Sequence, residues 1–332
     1  MGTYDVAVFG AYGHTGRFVV EELRERGFGV LAVGRDEGKL RALPWTDLEI
    51  RQASVDDPAS LDRAFEGAHA VINAAGPFAD TAAPVIEAAL RAGVPYLDVA
   101  AELEANMDTF SRFGDKAAGA TVIPAMAFFG GLGDLMVTAA LGDWTSADEA
   151  HIAYGLSGWH PTEGTRAAGK VSRERRNGKR IRFSGGRIEH RDDALPESDW
   201  DFPALGTRAV LGEFSMADVV TVPSHLAIPE VVTYMTTNAA REVVTPETPA
   251  PPADGPSAQT FVVDVVVRSG GEERRIVAQG QDIYAITAPL VVEAVQRVLD
   301  GRTKATGVVS AGEVFDAADF LAALAPRVTV TG

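Results

Sequence analysis

Residues 5–16, Asp5-Val6-Ala7-Val8-Phe9-Gly10-Ala11-Tyr12-Gly13-His14-Thr15-Gly16, are the stretch on which the fold turns. The run up to Phe9 is short, apolar and stopped by a glycine, the pattern of a parallel strand buried on both faces. Beyond Gly16, Phe18, Val19 and Leu23 share one helical face, Glu21, Glu22, Arg24 and Arg26 lie elsewhere, and Gly27 ends the helix. Between strand and helix, Gly10, Gly13 and Gly16 let the chain turn tightly and bring backbone N–H groups close to a pyrophosphate. The helix N-terminus behind them adds partial positive charge. Tyr12 stands where the most familiar spacing has its second glycine, so the match is to a Gly-x-x-Gly-x-x-Gly variant. A glycine loop alone is a weak signal; the strand before it and the helix after it make it a dinucleotide loop.

Outward from this loop the alternation continues. Gly29–Val33, Leu48–Ile50, Ala70–Ala74, Tyr96–Val99 and Thr121–Pro124 read as strands, with helices at 61–65, 84–92 and 106–119. This predicts an α/β chain whose residues 1–125 form a Rossmann-type doubly wound parallel sheet. From about residue 148 the pattern becomes β. His151–Leu156, Lys179–Phe183, Val219–Val222, Glu230–Met235, Gln259–Arg268 and Arg274–Gly280 are predicted strands, with Asn177-Gly178 as a hairpin turn and the Pro-rich 246–256 as an exposed loop. Residues 126–285 are therefore expected to form a second, α+β domain with a mixed, mostly antiparallel sheet. Thr287 is expected to cap a helix striped by Leu290, Val291, Ala294, Val295 and Val298, and a last helix spans about 317–324.

The 332-residue length suits two domains, and 46% hydrophobic residues argue for packed cores rather than long disorder. With no cysteine, disulfides, thiolate nucleophiles and Cys-based zinc sites are excluded. His69, His151, His190 and His225 lack metal-ligand spacing, so no metal is expected. A net charge of −16 argues against nucleic-acid binding. No apolar run is long enough for a membrane span, and a first strand beginning by Tyr4 leaves no room for a signal peptide, so a cytoplasmic location is expected.

Cofactor choice rests on Gly34-Arg35-Asp36. An acidic residue about twenty positions after the loop would hold a ribose 2′-OH, whereas an Arg accommodates a 2′-phosphate. Arg35 comes first off the strand and Lys39 lies within one helical turn of it, which favours NADP(H) over NAD(H). Cofactor contacts are expected from Gly10, Tyr12, Gly13, His14, Thr15, Gly16, Arg35 and Lys39. A hydride-transfer site needs little from the protein beyond orientation and a proton source. Asp98 and Glu102 follow a parallel strand at its carboxyl end, where ligands sit in such sheets. Trp159-His160-Pro161-Thr162-Glu163-Gly164-Thr165-Arg166 is the densest polar constellation and reads as a loop. The catalytic candidates are His160, Arg166 and Asp98; Tyr234 and Tyr284 read as core tyrosines. Residues 166–191 hold ten Lys or Arg against Glu174 and Glu189, either an exposed hairpin or a landing site for an anionic carrier, such as a phosphopantetheine arm, coenzyme A or an acyl carrier protein.

Asn73-Ala74-Ala75-Gly76-Pro77-Phe78, with the stretches 84–88, 92–98 and Asp282–Pro289, resembles the saccharopine-dehydrogenase-like oxidoreductases. The resemblance is specific over residues 4–100 and looser beyond. It implies a pyridine-nucleotide enzyme with Ala75, Gly76 and Pro77 at the cofactor. It also implies a second, mixed sheet facing that cofactor, and C-terminal helices (286–332) returning to the first domain. One branch, the trans-acting enoyl reductases, works on polyketide-type acyl chains; others form or cleave secondary amines through imines. Here Ala100-Ala101-Glu102 keeps the family's acidic residue and loses the preceding Gly. The expected activity is reduction of a C=N or conjugated C=C bond in a small or carrier-bound substrate; the competing reading is a catalytically silent NADP(H) sensor. The apolar face of Gln259–Arg268 suggests a sheet-to-sheet homodimer.

Overall fold

Val6 and Val8 pack to one side of a parallel sheet and Ala7 and Phe9 to the other, because successive side chains of a strand point to opposite faces; the strand has a parallel neighbour on each edge. The computed structural model describes residues 5–332 except Ala118. Tyr4, with which the first strand was expected to begin, and Ala118, inside the helix expected over 106–119, lie outside the described residues.

The first half runs β1 (Asp5–Phe9), α1 (His14–Glu25), β2 (Gly29–Gly34), α2 (Glu37–Arg41), β3 (Glu49–Gln52), α3 (Pro58–Phe65), β4 (Ala70–Asn73), α4 (Phe78–Ala92), β5 (Tyr96–Asp98), α5 (Leu103–Phe113) and β6 (Thr121–Ile123). The strands lie parallel in the order β3-β2-β1-β4-β5-β6. The order reverses between β1 and β4, the position at which doubly wound sheets open a ligand crevice. Leu61, Phe65, Val85 and Phe113 of α3, α4 and α5 pack on the Ala7 face, and Val19 and Leu23 of α1 on the Val6 face.

The second half runs α6 (Gly133–Leu141), β7 (Glu149–Leu156), α7 (Glu163–Arg175), β8 (Arg180–Ser184), β9 (Arg187–Arg191), β10 (Glu197–Phe202), β11 (Gly206–Gly212), α8 (Asp218–Thr221), β12 (Glu230–Thr236), α9 (Thr237–Val244), β13 (Thr260–Ser269) and β14 (Glu272–Gln281). These strands build a mixed sheet in which β12 and β7 are parallel and the other pairs antiparallel. Phe261, Val263, Val265 and Val267 of β13 face the core shared with α6. On the other face Val262 packs with Phe202 and Trp200, and Asp264 accepts from Arg275 and from Trp200 Nε1. The tip of the β10–β11 hairpin thus folds over this face, and Phe261 through Val267 are all buried within the chain. The strand offers no free face for the sheet-to-sheet dimer that its apolar pattern suggested.

The chain then returns through α10 (Thr287–Leu299), β15 (Gly307–Val308), α11 (Ala311–Val314), α12 (Ala317–Ala323) and β16 (Val328–Thr331). Strand β15 adds a seventh, parallel strand beside β6, and β16 pairs with β14 in the second sheet. Arg26 of α1 donates to Glu293 of α10 at 2.6 Å. One continuous apolar cluster holds Val8, Leu23, Met136, Ile152, Val263 and Val291, so the two sheets share a core instead of swinging on a linker.

Four local expectations are corrected. Asn177 and Gly178, both at positive φ, end α7 and join no hairpin; the tight turn between strands is Gly185-Gly186. Val219–Val222 lies in the helical segment begun by α8, since a four-residue apolar run fits a buried helical turn as well as a strand. Residues 163–166, read as part of a loop, open a helix that runs to Arg175, with the Thr162 hydroxyl capping Thr165 N–H. Thr287 lies inside α10, where its hydroxyl accepts from Phe128 N–H and donates to Ile283 O.

Candidate active site

The phosphate loop is built by close packing. Gly10 has φ +90°, and a Cβ there would lie 2.8 Å from Ala75 Cβ and 2.9 Å from the Ala74 backbone. A Cβ on Gly16 would come within 2.1 Å of Gly10 O, so Gly16 seats α1 against the loop and does not face the crevice. Among the described residues no side chain caps α1, leaving the N–H groups of its first turn open to an anion. This is the backbone cradle that a dinucleotide pyrophosphate fits.

Above the loop lies a cleft of about 1690 Å³, lined by both halves of the chain. Ligand pockets usually span roughly 300–1,000 Å³, so there is room for a second ligand beside a dinucleotide. Gly10, Tyr12, Gly13, His14, Thr15, Arg35, Lys39, Ala75, Gly76 and Pro77 all line it. Beyond β2 the adjacent Arg35 and Asp36 divide. Asp36 Oδ1 accepts from Lys39 N–H at 3.0 Å and caps α2, whereas Arg35 and Lys39 face the cleft. Lys39 also sits 5.7 Å from the Tyr12 ring. Ser54 and Asp56, after β3, line the same end and were not singled out in the sequence.

The catalytic candidates are not gathered together. Asp98 is fully buried and away from the cleft lining. Its Oδ1 accepts from Ala100 N–H (3.0 Å) and Ala125 N–H (2.8 Å), and its Oδ2 accepts from the Tyr96 hydroxyl (2.8 Å). Burial pushes this carboxyl up to about 6 against those three donors. Asp98 thereby ties the end of β5 to the loops that follow β5 and β6. His160 is exposed and outside the lining. Arg166 lines the cleft, and its guanidinium donates to the carbonyls of Thr245 and Thr248.

Glu102 is differently placed. It lines the cleft beside Gly76, its Oε1 accepts from Phe78 N–H at 3.1 Å, and its buried Oε2 has no partner among the described residues. Burial first, and then the charges of Asp98 and Glu104, push its carboxyl up to about 7. Phe128, Phe129 and Trp159 form an apolar part of the same lining, the Phe129 and Trp159 rings 5.1 Å apart. Gly130, at φ +95°, lets the chain turn back on Ala125 to present that pair; the Phe128-Phe129-Gly130-Gly131 run was the overlooked signal.

Tyr284 joins the halves. Its hydroxyl accepts from Trp159 Nε1 and Thr162 N–H and lies 2.9 Å from Thr165 Oγ1, so it is held by polar groups on both sides of residue 160. Its ring meets the edge of His14 at 5.2 Å, and burial lowers the His14 pKa, which favours the neutral imidazole.

The cleft lining carries ten Lys or Arg side chains and five carboxylates, in a chain of net charge −16. Seven of those cations come from α7, β8, β9 and their junctions. Lys179 pairs with Asp192, and Arg180 and Arg191 with Asp193, so residues just beyond the basic stretch partly neutralise it. Helix α7 is docked on α5 by Ser172 to Glu104 and Arg175 to Asp108.

This fold and this loop are those of a dinucleotide-binding protein. Residues 10–124 match the NAD(P)H-binding family. The chain is 34% identical over 116 residues to the lipid droplet localized protein of Caenorhabditis elegans, covering 31% of this chain and 27% of that protein. It is 28% identical over 135 residues to the saccharopine dehydrogenase-like oxidoreductase of Rattus norvegicus, covering 35% and 32%. The match thus spans about a third or less of these relatives' length. Apo saccharopine dehydrogenase (L-Glu forming) from Saccharomyces cerevisiae superposes with a TM-score of 0.66 at 12% identity, covering 99% of this chain and 100% of that one. In fold the chain is similar to that dehydrogenase, and over about a third of its length its sequence is similar to these relatives. Among the described residues no helix is long and apolar enough to cross a membrane.

Proposed function

We propose that the chain is an NADP(H)-dependent oxidoreductase that reduces an imine or a conjugated C=C bond of an organic substrate, with Glu102 as the proton donor. The observation that carries this reading is one wall of the cleft. There a backbone phosphate cradle at Gly10–Thr15 and a desolvated carboxyl at Glu102 flank the same Ala75–Pro77 segment. A bound nicotinamide dinucleotide supplies the hydride, and the protein then needs to orient the substrate and deliver a proton.

Glu102 suits the second task. Phe78 N–H fixes Oε1, and burial keeps a proton on the carboxyl close to neutral pH, the range in which a general acid works best. Phe128, Phe129 and Trp159 cover the apolar part of the substrate and keep water out. Tyr96, Asn73 and Asp98 act behind the site. Asn73 Oδ1 accepts from Ala75 N–H and its amide donates to the Tyr96 hydroxyl, which holds the Ala75–Pro77 segment against β5.

The preference for NADP(H) follows from Asp36. With Asp36 Oδ1 held by the α2 cap, the cations at that end of the cleft are Arg35 and Lys39, which suit a 2′-phosphate. Fluorescence titration tests this directly. NADPH should bind more tightly than NADH, and Arg35→Ala should weaken NADPH by roughly tenfold while barely moving NADH. Equal losses for the two cofactors would sink the phosphate assignment.

A further inference from the structure

We infer that the α7 wall of the cleft binds the phosphate groups of a substrate's handle, and that the substrate class is an acyl thioester of coenzyme A. This rests on the NADP(H) reading above, because it concerns the part of the cleft that the dinucleotide leaves free.

Arg166, Gly169, Lys170, Arg173 and Arg176 recur at helical spacing along one side of α7, and all of them line the cleft. Like charges three and four residues apart repel within a helix, so the stripe is unfavourable unless something anionic lies against it. The protein supplies little of that. Arg166 is held by carbonyl oxygens, Lys170 reaches Glu174 only at 3.9 Å, and Arg176 reaches Glu104 at 3.6 Å. The Arg173 guanidinium has no ion pair or hydrogen bond with any described residue. Ser172 is the one buried residue of α7, so hydrophobic burial does not account for the helix's position.

The stripe lies apart from Arg35 and Lys39, the cations that suit a 2′-phosphate. Helix α7 begins where Thr165 and Tyr284 meet His14 and ends on α5 at Glu104 and Asp108. It therefore runs along the β4–β5 side of the cleft, while Arg35 and Lys39 stand beyond β2. One carboxylate needs one cation. A row of three arginines and a lysine fits a ligand with several charges on tetrahedral oxygens, which guanidinium forks grip in pairs. Gly169 keeps the middle of the stripe open, since a Cβ there would meet nothing within 4 Å. In the same cleft, Phe129 and Trp159 offer an apolar surface, with Trp159 bonded to Tyr284 beside the start of α7. A ligand with a polyphosphate end and an apolar reactive end matches both.

The test uses the full chain saturated with NADP⁺, titrated calorimetrically with coenzyme A. Coenzyme A should bind to this complex, and its affinity should fall as salt rises. The Lys170→Glu/Arg173→Glu double variant should weaken it at least roughly tenfold without changing NADPH affinity. Both side chains are exposed, and Arg173→Ala provides a milder variant should the double reversal disturb folding, checked by circular dichroism. Three outcomes would overturn the inference: no binding to the NADP⁺ complex, displacement of NADP⁺ by coenzyme A, or an affinity indifferent to the charge reversal. NADPH binding is measured first. Its absence would sink the cofactor reading, whereas NADPH bound without coenzyme A rejects the α7 site alone.

Discussion

The two walls of the cleft are made of different material. Beside β1 and β4 the surface is mostly backbone, where Gly10 turns at positive φ against Ala74 and Ala75 and an uncapped helix faces the ligand. Beside α7 it is side-chain charge on a helix with almost nothing buried. Backbone recognition needs the chain at a fixed position to within a fraction of an ångström, so it depends on glycines and a packed core. Charge recognition tolerates movement and acts over a Debye length. The first wall can hold a cofactor common to many enzymes, and the second can vary with the substrate. Glu102 lines the same cleft beside Gly76, so substitutions there should have the largest effect.

Glu102→Gln keeps an oxygen for Phe78 N–H and removes the transferable proton. With whichever of crotonyl-coenzyme A or a cyclic imine the wild type reduces, kcat should fall by roughly 10²–10⁴ while NADPH affinity stays unchanged. In the wild type the acid form is required, so kcat should hold below neutrality and decline as pH rises through about 7. Infrared difference spectra give a readout free of turnover: a protonated-carboxyl band titrating near pH 7 that vanishes in the variant. A variant retaining wild-type kcat would remove Glu102 from the chemistry and leave the two walls without a shared reactive group.

Gly10→Ala addresses the backbone wall. The added methyl would lie 2.8 Å from Ala75 Cβ at a φ that L side chains avoid. Strain and overpacking together should cost at least about 2 kcal/mol in stability, and NADPH affinity should fall with it. Thermal unfolding with and without NADPH checks both. If the variant binds NADPH normally, the cofactor wall is more compliant than its packing implies, and the contrast with α7 weakens.

The same contrast explains what could be read in advance. The glycine loop and its strands were legible because strands buried on both faces and helices with one apolar face leave distinct periodicities, as at Val6–Phe9 and at Val19 and Leu23. Helix α7 was not, because Val171 is its one side chain both apolar and larger than alanine, and a helix polar nearly all round reads as a loop. Strands β10 and β11, rich in Asp, Ser, Thr and Gly, were missed for a related reason: they curl over a sheet whose apolar residues lie elsewhere in the chain. The basic stretch was visible, but Asp192, Asp193, Glu104 and Asp108, which offset part of it, come from outside that window. Asp36 and Arg35 could not be separated by spacing, since only the Lys39 N–H shows which of them is occupied. Asp98 and Glu102 were equally plausible as strand-end acids, and hydrogen bonding divides them.

Asp98→Asn uses that division and should have the smallest effect. Asp98 and Glu102 are both buried carboxyls raised by desolvation, but Asp98 meets three donors and Glu102 one. An asparagine can still accept from Ala100 and Ala125 N–H, while its amide faces the Tyr96 hydroxyl, whose proton then loses its acceptor. The loss should be about 1 kcal/mol, with kcat and NADPH affinity close to wild type. Its pH dependence has a definite sign. The folded-state carboxyl titrates at about 6, above the ordinary aspartate value of 3.8. The folded state therefore holds this proton to higher pH than the unfolded chain does, and the associated stability is complete below the unfolded value and lost as pH rises through about 6. Asparagine has no proton to lose. Urea unfolding should show the largest gap between wild type and variant near pH 4 and a narrower one at pH 8. A gap that widened with pH would mean that Asp98 is held as a stabilised carboxylate. A large loss of kcat would place it beside Glu102 in the chemistry.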